Sequence, residues 1–207
     1  MRLMAILTVT GLAFGAAPIH TQWEVGGVVG INLASISVDP EPSSEDYSGR
    51  LGFGFGFVAD RELTDQIDLH FEPMFLMKGS TIKEDGDEIS QKLSYLEVPV
   101  MVRYHFEAEG TARPYVMGGP SLGFLLSAKY DGGFGEQDAK DETKSIDFGV
   151  GVGAGVAVPQ GDKTFFAEAR YVLGLTNIND EIHESGESTV KNRGIQLFVG
   201  ATIPVGR

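Results

Sequence analysis

Between Leu93 and Lys129 two stretches alternate apolar and polar residues with a period of two, and this pattern leaves few folds open. On the first, Leu96, Val98, Val100, Val102, Tyr104 and Phe106 share one face, and Glu97, Pro99, Met101, Arg103 and His105 share the other. On the second, Val116, Pro120, Leu122, Phe124, Leu126 and Ala128 alternate with Met117, Gly119, Ser121, Gly123, Ser127 and Lys129. Successive side chains of a strand point to opposite faces, so each stretch reads as one long strand with two unlike faces. Both exceed the usual soluble strand of roughly five or six residues. The first face carries no charge, while the second mixes glycine with ions. Lipid on one side and a packed polar lumen on the other demand that combination.

The rest of the chain repeats it. Trp23, Val25, Val29, Ile31 and Leu33 alternate with Glu24, Gly26, Gly30 and Asn32 in a first strand. In a second, Leu51, Phe53, Phe55 and Phe57 alternate with Arg50, Gly52, Gly54 and Gly56. A third turns Ile67, Leu69, Phe71, Phe75 and Met77 outward and Asp68, His70, Glu72 and Lys78 inward. The opening pair forms the fourth and fifth strands. A sixth, from Ser145, sets Ile146, Phe148, Val150, Val152 and Val156 against Asp147, Gly149, Gly151, Gly153 and Gly155. The seventh faces Phe165, Ala167, Ala169, Tyr171, Leu173 and Leu175 outward and Glu168 and Arg170 inward, and the eighth spans about Arg193 to Pro204.

Eight strands are then joined by connections that alternate long and short. Asp39–Gly49, Gly79–Ser90, Asp131–Lys144 and Asn177–Val190 are long; Arg61–Gln66, Glu107–Arg113 and Pro159–Lys163 are short. The expected fold is all-β: an eight-stranded antiparallel up-and-down transmembrane β-barrel with short periplasmic turns and four long acidic extracellular loops. Those loops hold seventeen acids and three lysines, enough to account for the whole net charge of −13. So acidic a chain lacks the basic footprint that nucleic-acid binding needs.

Arg2, the apolar run Leu3–Ala17 and the small residues near its end predict a signal peptide over 1–17, with cleavage as late as about residue 22. The run falls short of the roughly 20 residues that a transmembrane helix needs. Residues 23–207 form the barrel domain. Cysteine is absent, which excludes disulfides and thiolate metal sites. A soluble barrel would carry a solvated outer face dense in Lys, Glu, Asp and Thr. Here that face is Phe, Val and Leu, an aggregation hazard in water.

In Tyr95–Phe106, Arg113–Lys129, Ala169–Ile178 and Val190–Gly200, in that order, and in the glycine-rich start GGVVGINLA, the chain resembles the PorT-like family of small outer-membrane β-barrel proteins. The resemblance implies an eight-stranded barrel in the outer membrane of Gram-negative bacteria, mostly without known activity. One member is linked to protein secretion, a role the barrel motifs do not carry over. The C-terminal PVGR departs from the terminal aromatic residue that assembly machinery recognises in many such barrels.

The expected partners are therefore outer-membrane lipid, the barrel assembly machinery and an envelope or extracellular protein reached through the acidic loops, with the barrel itself a monomer. No cofactor or metal is expected. The stretch Glu84–Glu88 and the acids around His183 lack EF-hand spacing and read as solvated tips. No Ser/His/acid constellation supports an enzyme, the lipid-modifying class included. The Gly149–Gly155 repeats precede no helix that could hold phosphate. A small-solute porin or a secretion-associated barrel is the alternative function.

Two structural sites are predicted. Trp23, Phe57, Tyr104, Phe106 and Phe165 lie at strand ends beside the short turns and form a periplasmic aromatic girdle. Asp68, His70, Glu72, Lys78, Glu97, Arg103, Glu168 and Arg170 form a lumenal charge network. Folding each short hairpin about its centre sets glycine against long polar chains. Across Leu63, Gly54 faces Glu72 and Gly56 faces His70; across Gly110, Gly123 faces Glu97 and Met117 faces Arg103. Across Gly161–Asp162, Gly153 faces Arg170 and Gly155 faces Glu168. An eight-stranded barrel has an interior just filled by side chains, so glycine on one strand makes room for ions on the next.

Overall fold

The structure is a computed structural model that describes residues 23–39, 46–84, 87–132, 135–179 and 189–205. The predicted signal segment, His183 and the acids around it lie outside these residues, and the Glu84–Glu88 stretch straddles one of the gaps. The strands are β1 (Trp23–Asp39), β2 (Asp46–Thr64), β3 (Ile67–Phe71), β4 (Met74–Glu84), β5 (Asp87–His105), β6 (Arg113–Gly132), β7 (Gly135–Asp138), β8 (Ile146–Gln160), β9 (Lys163–Gly174) and β10 (Thr189–Val205). Each pairs antiparallel with its neighbours.

The order closes on itself. β1 pairs with β10 from Trp23↔Val205 to Asp39↔Thr189, and β3 and β4 together bridge β2 to β5. Counting β3 and β4 as one broken wall strand, and β7 as a short flap on β6, gives an eight-stranded up-and-down barrel. Outward positions are apolar and open: Leu51, Phe53, Phe55 and Phe57 on β2, with Phe57 75% exposed, and Val29, Ile31 and Leu33 on β1. Their inward neighbours Asn32, Ala34 and Val58 are buried.

Four features correct the reading from sequence. The third strand is not continuous: Pro73 has no N–H to give the ladder, and the wall breaks at Glu72–Pro73. There the Phe57 amide donates to the Pro73 carbonyl (3.0 Å) and the Glu72 amide to that of Pro99 (3.2 Å). The turn after β2 is also tighter than expected. β2 runs on to Thr64, which pairs with Ile67, so Asp60 faces His70, Gly56 faces Met74 and Gly54 faces Leu76. The other two short hairpins keep the expected register, with Glu97↔Gly123, Arg103↔Met117, Arg170↔Gly153 and Glu168↔Gly155. The tightest of them needs Gly161, whose φ of +66° suits the two-residue turn between Gln160 and Lys163.

A bulge supplies the third correction. The β5–β6 register shifts between Ser94↔Ser127 and Tyr95↔Leu125, skipping Leu126. An extra residue on one strand inverts the alternation beyond it, so Ala128 is buried and Lys129 points outward, the reverse of the simple pattern. Finally, the connection Gly79–Ser90 is largely a β-ribbon, with β4 and β5 paired out to Glu84↔Asp87. The connection after β6 folds β7 back along it, from Gly132↔Gly135 to Lys129↔Asp138.

Candidate functional site in the lumen

From the short-turn end upward, the interior is layered. First comes a cavity of about 130 Å³ bordered by Glu24, Asp60, Asp68, Arg103 and His105. Asp68 does not join the main network; it meets His105 Nε2 at 2.9 Å beside this mouth. Above the mouth lies a closed cycle of charged groups.

His70 Nδ1 is 2.5 Å from Asp60 Oδ1, and its Nε2 is 2.5 Å from Glu72 Oε2. Arg170 Nη2 donates to that same Glu72 oxygen (2.5 Å), and Arg170 Nε donates to Glu168 Oε1 (2.8 Å). Arg103 Nη2 donates to Glu168 Oε2 (3.0 Å), and its Nη1 closes the cycle onto Asp60 Oδ2 (3.1 Å). Acid and base alternate all the way round. Three basic side chains, His70, Arg103 and Arg170, are thereby set against the three carboxyl groups of Asp60, Glu72 and Glu168. Arg103 Nη2 and His70 Nε2 are neighbours at 3.2 Å, and both residues contact Asp60.

The cycle is bounded by aromatics. The Tyr115 hydroxyl donates to Glu168 (2.6 Å), the Arg103 guanidinium lies 4.9 Å from the Tyr115 ring and 5.1 Å from Phe166, and Arg170 lies 4.9 Å from Phe198. His70, Glu72 and Glu168 bring ligand atoms within 4.8 Å of one another, as a metal site would. Two guanidiniums already sit on those carboxylates. Apolar side chains pack against the cycle, with Met74, Leu76, Met101 and Phe198 buried in one cluster with Tyr115 and Phe166.

A second ion cluster follows. Lys78 Nζ is 2.5 Å from Glu97 Oε2 and 3.2 Å from Asp147 Oδ2, and it lies 4.9 Å from the Tyr95 ring. Ser121 donates to Glu97 (2.8 Å) and Asn192 Nδ2 to Asp147 (2.9 Å). A cap of side chains lies over it. Ala139 and Ile178, from two of the long connections, are buried against Leu93, Tyr95, Leu125 and Ala128. Backbone bonds fix this lid: Ala139 N to Ala128 O (3.0 Å), Ile178 N to Val190 O (2.8 Å) and Lys144 N to Ile178 O (2.8 Å).

The eight residues expected in one network thus fall into three groups. His70, Glu72, Arg103, Glu168 and Arg170 meet in the cycle, Lys78 and Glu97 in the upper cluster, and Asp68 at the mouth. Sequence reasoning missed Asp60, which the misplaced turn put at a strand end. It also left Asp147 outside the network although the alternation had turned it inward. The lid was missed as well, its one signal being single apolar residues within polar loops. Trp23, Phe57, Tyr104, Phe106 and Phe165, the girdle candidates, are all outward and exposed.

The family profile described as outer membrane protein beta-barrel domain matches residues 16–180. No curated protein sequence matches the chain. Among solved structures, the Neisserial surface protein A is 16% identical, with a TM-score of 0.51 over 88% of this chain and 96% of that one. Ail, the attachment invasion locus protein of Yersinia pestis, is 15% identical with a TM-score of 0.42, over 88% of this chain and 98% of that one. The N-terminal β-barrel domain of Pseudomonas aeruginosa OprF is 14% identical with a TM-score of 0.41, over 90% and 100%. At that identity the likeness to the Neisserial protein shows the fold alone. A closed barrel with an apolar girdle of strands, matched by that profile over most of its length, has one assignment: the chain belongs to the outer membrane protein beta-barrel domain family and resides in the bacterial outer membrane.

Proposed function

We propose that this protein is a non-conducting barrel of the PorT-like branch, which presents its acidic loops to an envelope or extracellular partner. The observation that carries the reading is the double closure of the lumen. A charged cycle with apolar side chains packed against it fills one level, and the Ala139–Ile178 lid covers a second ion cluster at another. A diffusing solute would have to break several buried ion pairs, each costing roughly 3–5 kcal/mol when one partner is lost. The small-solute porin is the weaker alternative on that ground. An enzymatic role lacks support too, since both ring nitrogens of His70 are occupied by carboxylates and His105 is turned to Asp68.

In this reading the long connections face the cell exterior and the short turns face the periplasm, with Trp23, Phe57, Tyr104, Phe106 and Phe165 at the inner interface. Planar-bilayer recording of the refolded protein tests it. The expected result is no steady conductance above the lipid baseline, whereas stable open-channel steps would refute the closed barrel.

A further inference from the structure

The upper ion cluster is unbalanced. Lys78 is one cation between two buried carboxylates, Glu97 and Asp147, which leaves a net negative charge. The next cation along the wall, Arg50, is only half-buried and gives its guanidinium to the Lys78 carbonyl (3.2 Å). Arg193 borders the cluster but lies on the outward, exposed face of β10.

Among the described residues, three acceptors there have no hydrogen-bond donor: Asn32 Oδ1, Asp147 Oδ1 and Asn192 Oδ1, on residues only 2%, 3% and 3% exposed. The amides cannot turn round to cure this. Asn32 Nδ2 is needed by the Met77 carbonyl (2.9 Å) and Asn192 Nδ2 by Asp147 Oδ2 (2.9 Å). All three residues line one small cavity of about 10 Å³, roughly the space of a single small occupant.

Two glycines on that cavity make room for the oxygens themselves. A Cβ on Gly194 would stand 2.6 Å from Asn32 Oδ1, and one on Gly174 would stand 3.3 Å from Asp147 Oδ1. The pocket is therefore small and negative, with three unpaired acceptors on its wall beside Lys78, Ser121 and Gln196. Water brings two hydrogens and no charge. A hard cation with oxygen ligands meets all three needs.

We propose that Asn32, Asp147 and Asn192, backed by Glu97, bind one monovalent cation of the size of Na⁺ in the upper lumen. The ion completes the charge balance that Lys78 begins and ties β1, β8 and β10 together from inside.

Thermal unfolding of the refolded protein at fixed pH and ionic strength, with NaCl replaced stepwise by choline chloride, provides the test. Choline is too large for the cavity, so Na⁺ should raise Tm by about 2–4 °C at saturating concentration. Asp147→Asn and Gly194→Ala should each abolish that dependence, the first by removing charge and the second by displacing Asn32 Oδ1. Equilibrium dialysis with radioactive Na⁺ reads the site without unfolding and should give one ion per wild-type barrel. Equal melting in both salts with no retained ion would overturn the proposal, the result expected of a water-filled or proton-neutralised site. Na⁺ dependence that survives in both variants would also overturn it, since the ion would then bind elsewhere.

Discussion

Arg170 and Glu72, 98 residues apart, meet across the lumen at 2.5 Å. One stands on β9 and the other at the break between β3 and β4, so their bond joins two walls with no backbone contact between them. The cycle they belong to is a cross-brace between those walls.

Removing a brace should therefore cost more than losing a surface pair. Arg170→Ala leaves Glu72 and Glu168 buried and short of a cation, and should destabilise the barrel by about 3–5 kcal/mol. Arg103→Ala should act similarly through Asp60 and Glu168. Urea titration followed by the gel shift between folded and heated forms measures both, and unchanged midpoints would contradict the cycle.

The two proposed closures would act in series, which predicts an unusual conductance pattern. Ile178→Asp should loosen the lid alone, and Arg103→Ala with Arg170→Ala should loosen the cycle alone. Neither set is expected to conduct in a planar bilayer. Their combination should raise leak well above baseline.

Glycine substitutions should separate by what the new methyl meets. A Cβ at Gly119 would lie 2.1 Å from the Val100 carbonyl oxygen, which is backbone and cannot retreat. At Gly151 the nearest atom is the Met101 methyl at 2.7 Å, the free end of a flexible chain. Gly119→Ala should abolish heat-modifiable folding, while Gly151→Ala should fold with a modest loss. Equal yields from the two would show that the close approaches are not limiting.

Beyond the apolar band, Lys92 and Lys129 are direct cross-strand neighbours, an unfavourable pair relieved by Asp131 and Glu136. Hydrogen bonds from Lys129 and Lys92 hold the Glu136 carboxyl down, at about 2. A depressed folded-state value means its contribution is complete above the unfolded value, near 4.3, and fades as pH falls towards 2. Amide exchange should show β7 loosening from β6 across that window, with Glu136→Gln loosened at every pH. Protection that stays flat across the window in the unmodified protein would remove Glu136 from the role.

Trp23 is the sole tryptophan, so its depth in the bilayer can be read without ambiguity. With brominated lipids, quenching should be strongest when bromine sits close to the headgroup. Strongest quenching near the bilayer centre would break the proposed girdle.

Much of this architecture was legible because a two-residue period survives any uncertainty about strand ends. Faces could be assigned from Leu51–Phe57 or Ile146–Val156 alone. Register was harder, because it depends on single residues. One misplaced turn centre near Leu63 moved the partner of His70 from Asp60 to Gly56, and one bulge beside Leu126 inverted Ala128 and Lys129. The hairpins that were read correctly turn at Gly110 and Gly161, both with positive φ. Thr64–Ile67 has no glycine to mark its centre. The lid is a tertiary event, created when Ala139 and Ile178 find an apolar wall that neighbouring sequence does not describe.

The seam between β1 and β10 has a temporal meaning. Trp23 bonds beside Val205, and every pair along that junction joins opposite ends of the barrel sequence. No cylinder exists until the last strand has been delivered, so until then the growing sheet carries two open edges through the envelope. Contacts this distant in sequence form slowly, and unpaired edges invite pairing with other chains. Closure thus waits on one pairing between the two most distant strands of the barrel, and the β1 edge stays open until that pairing forms.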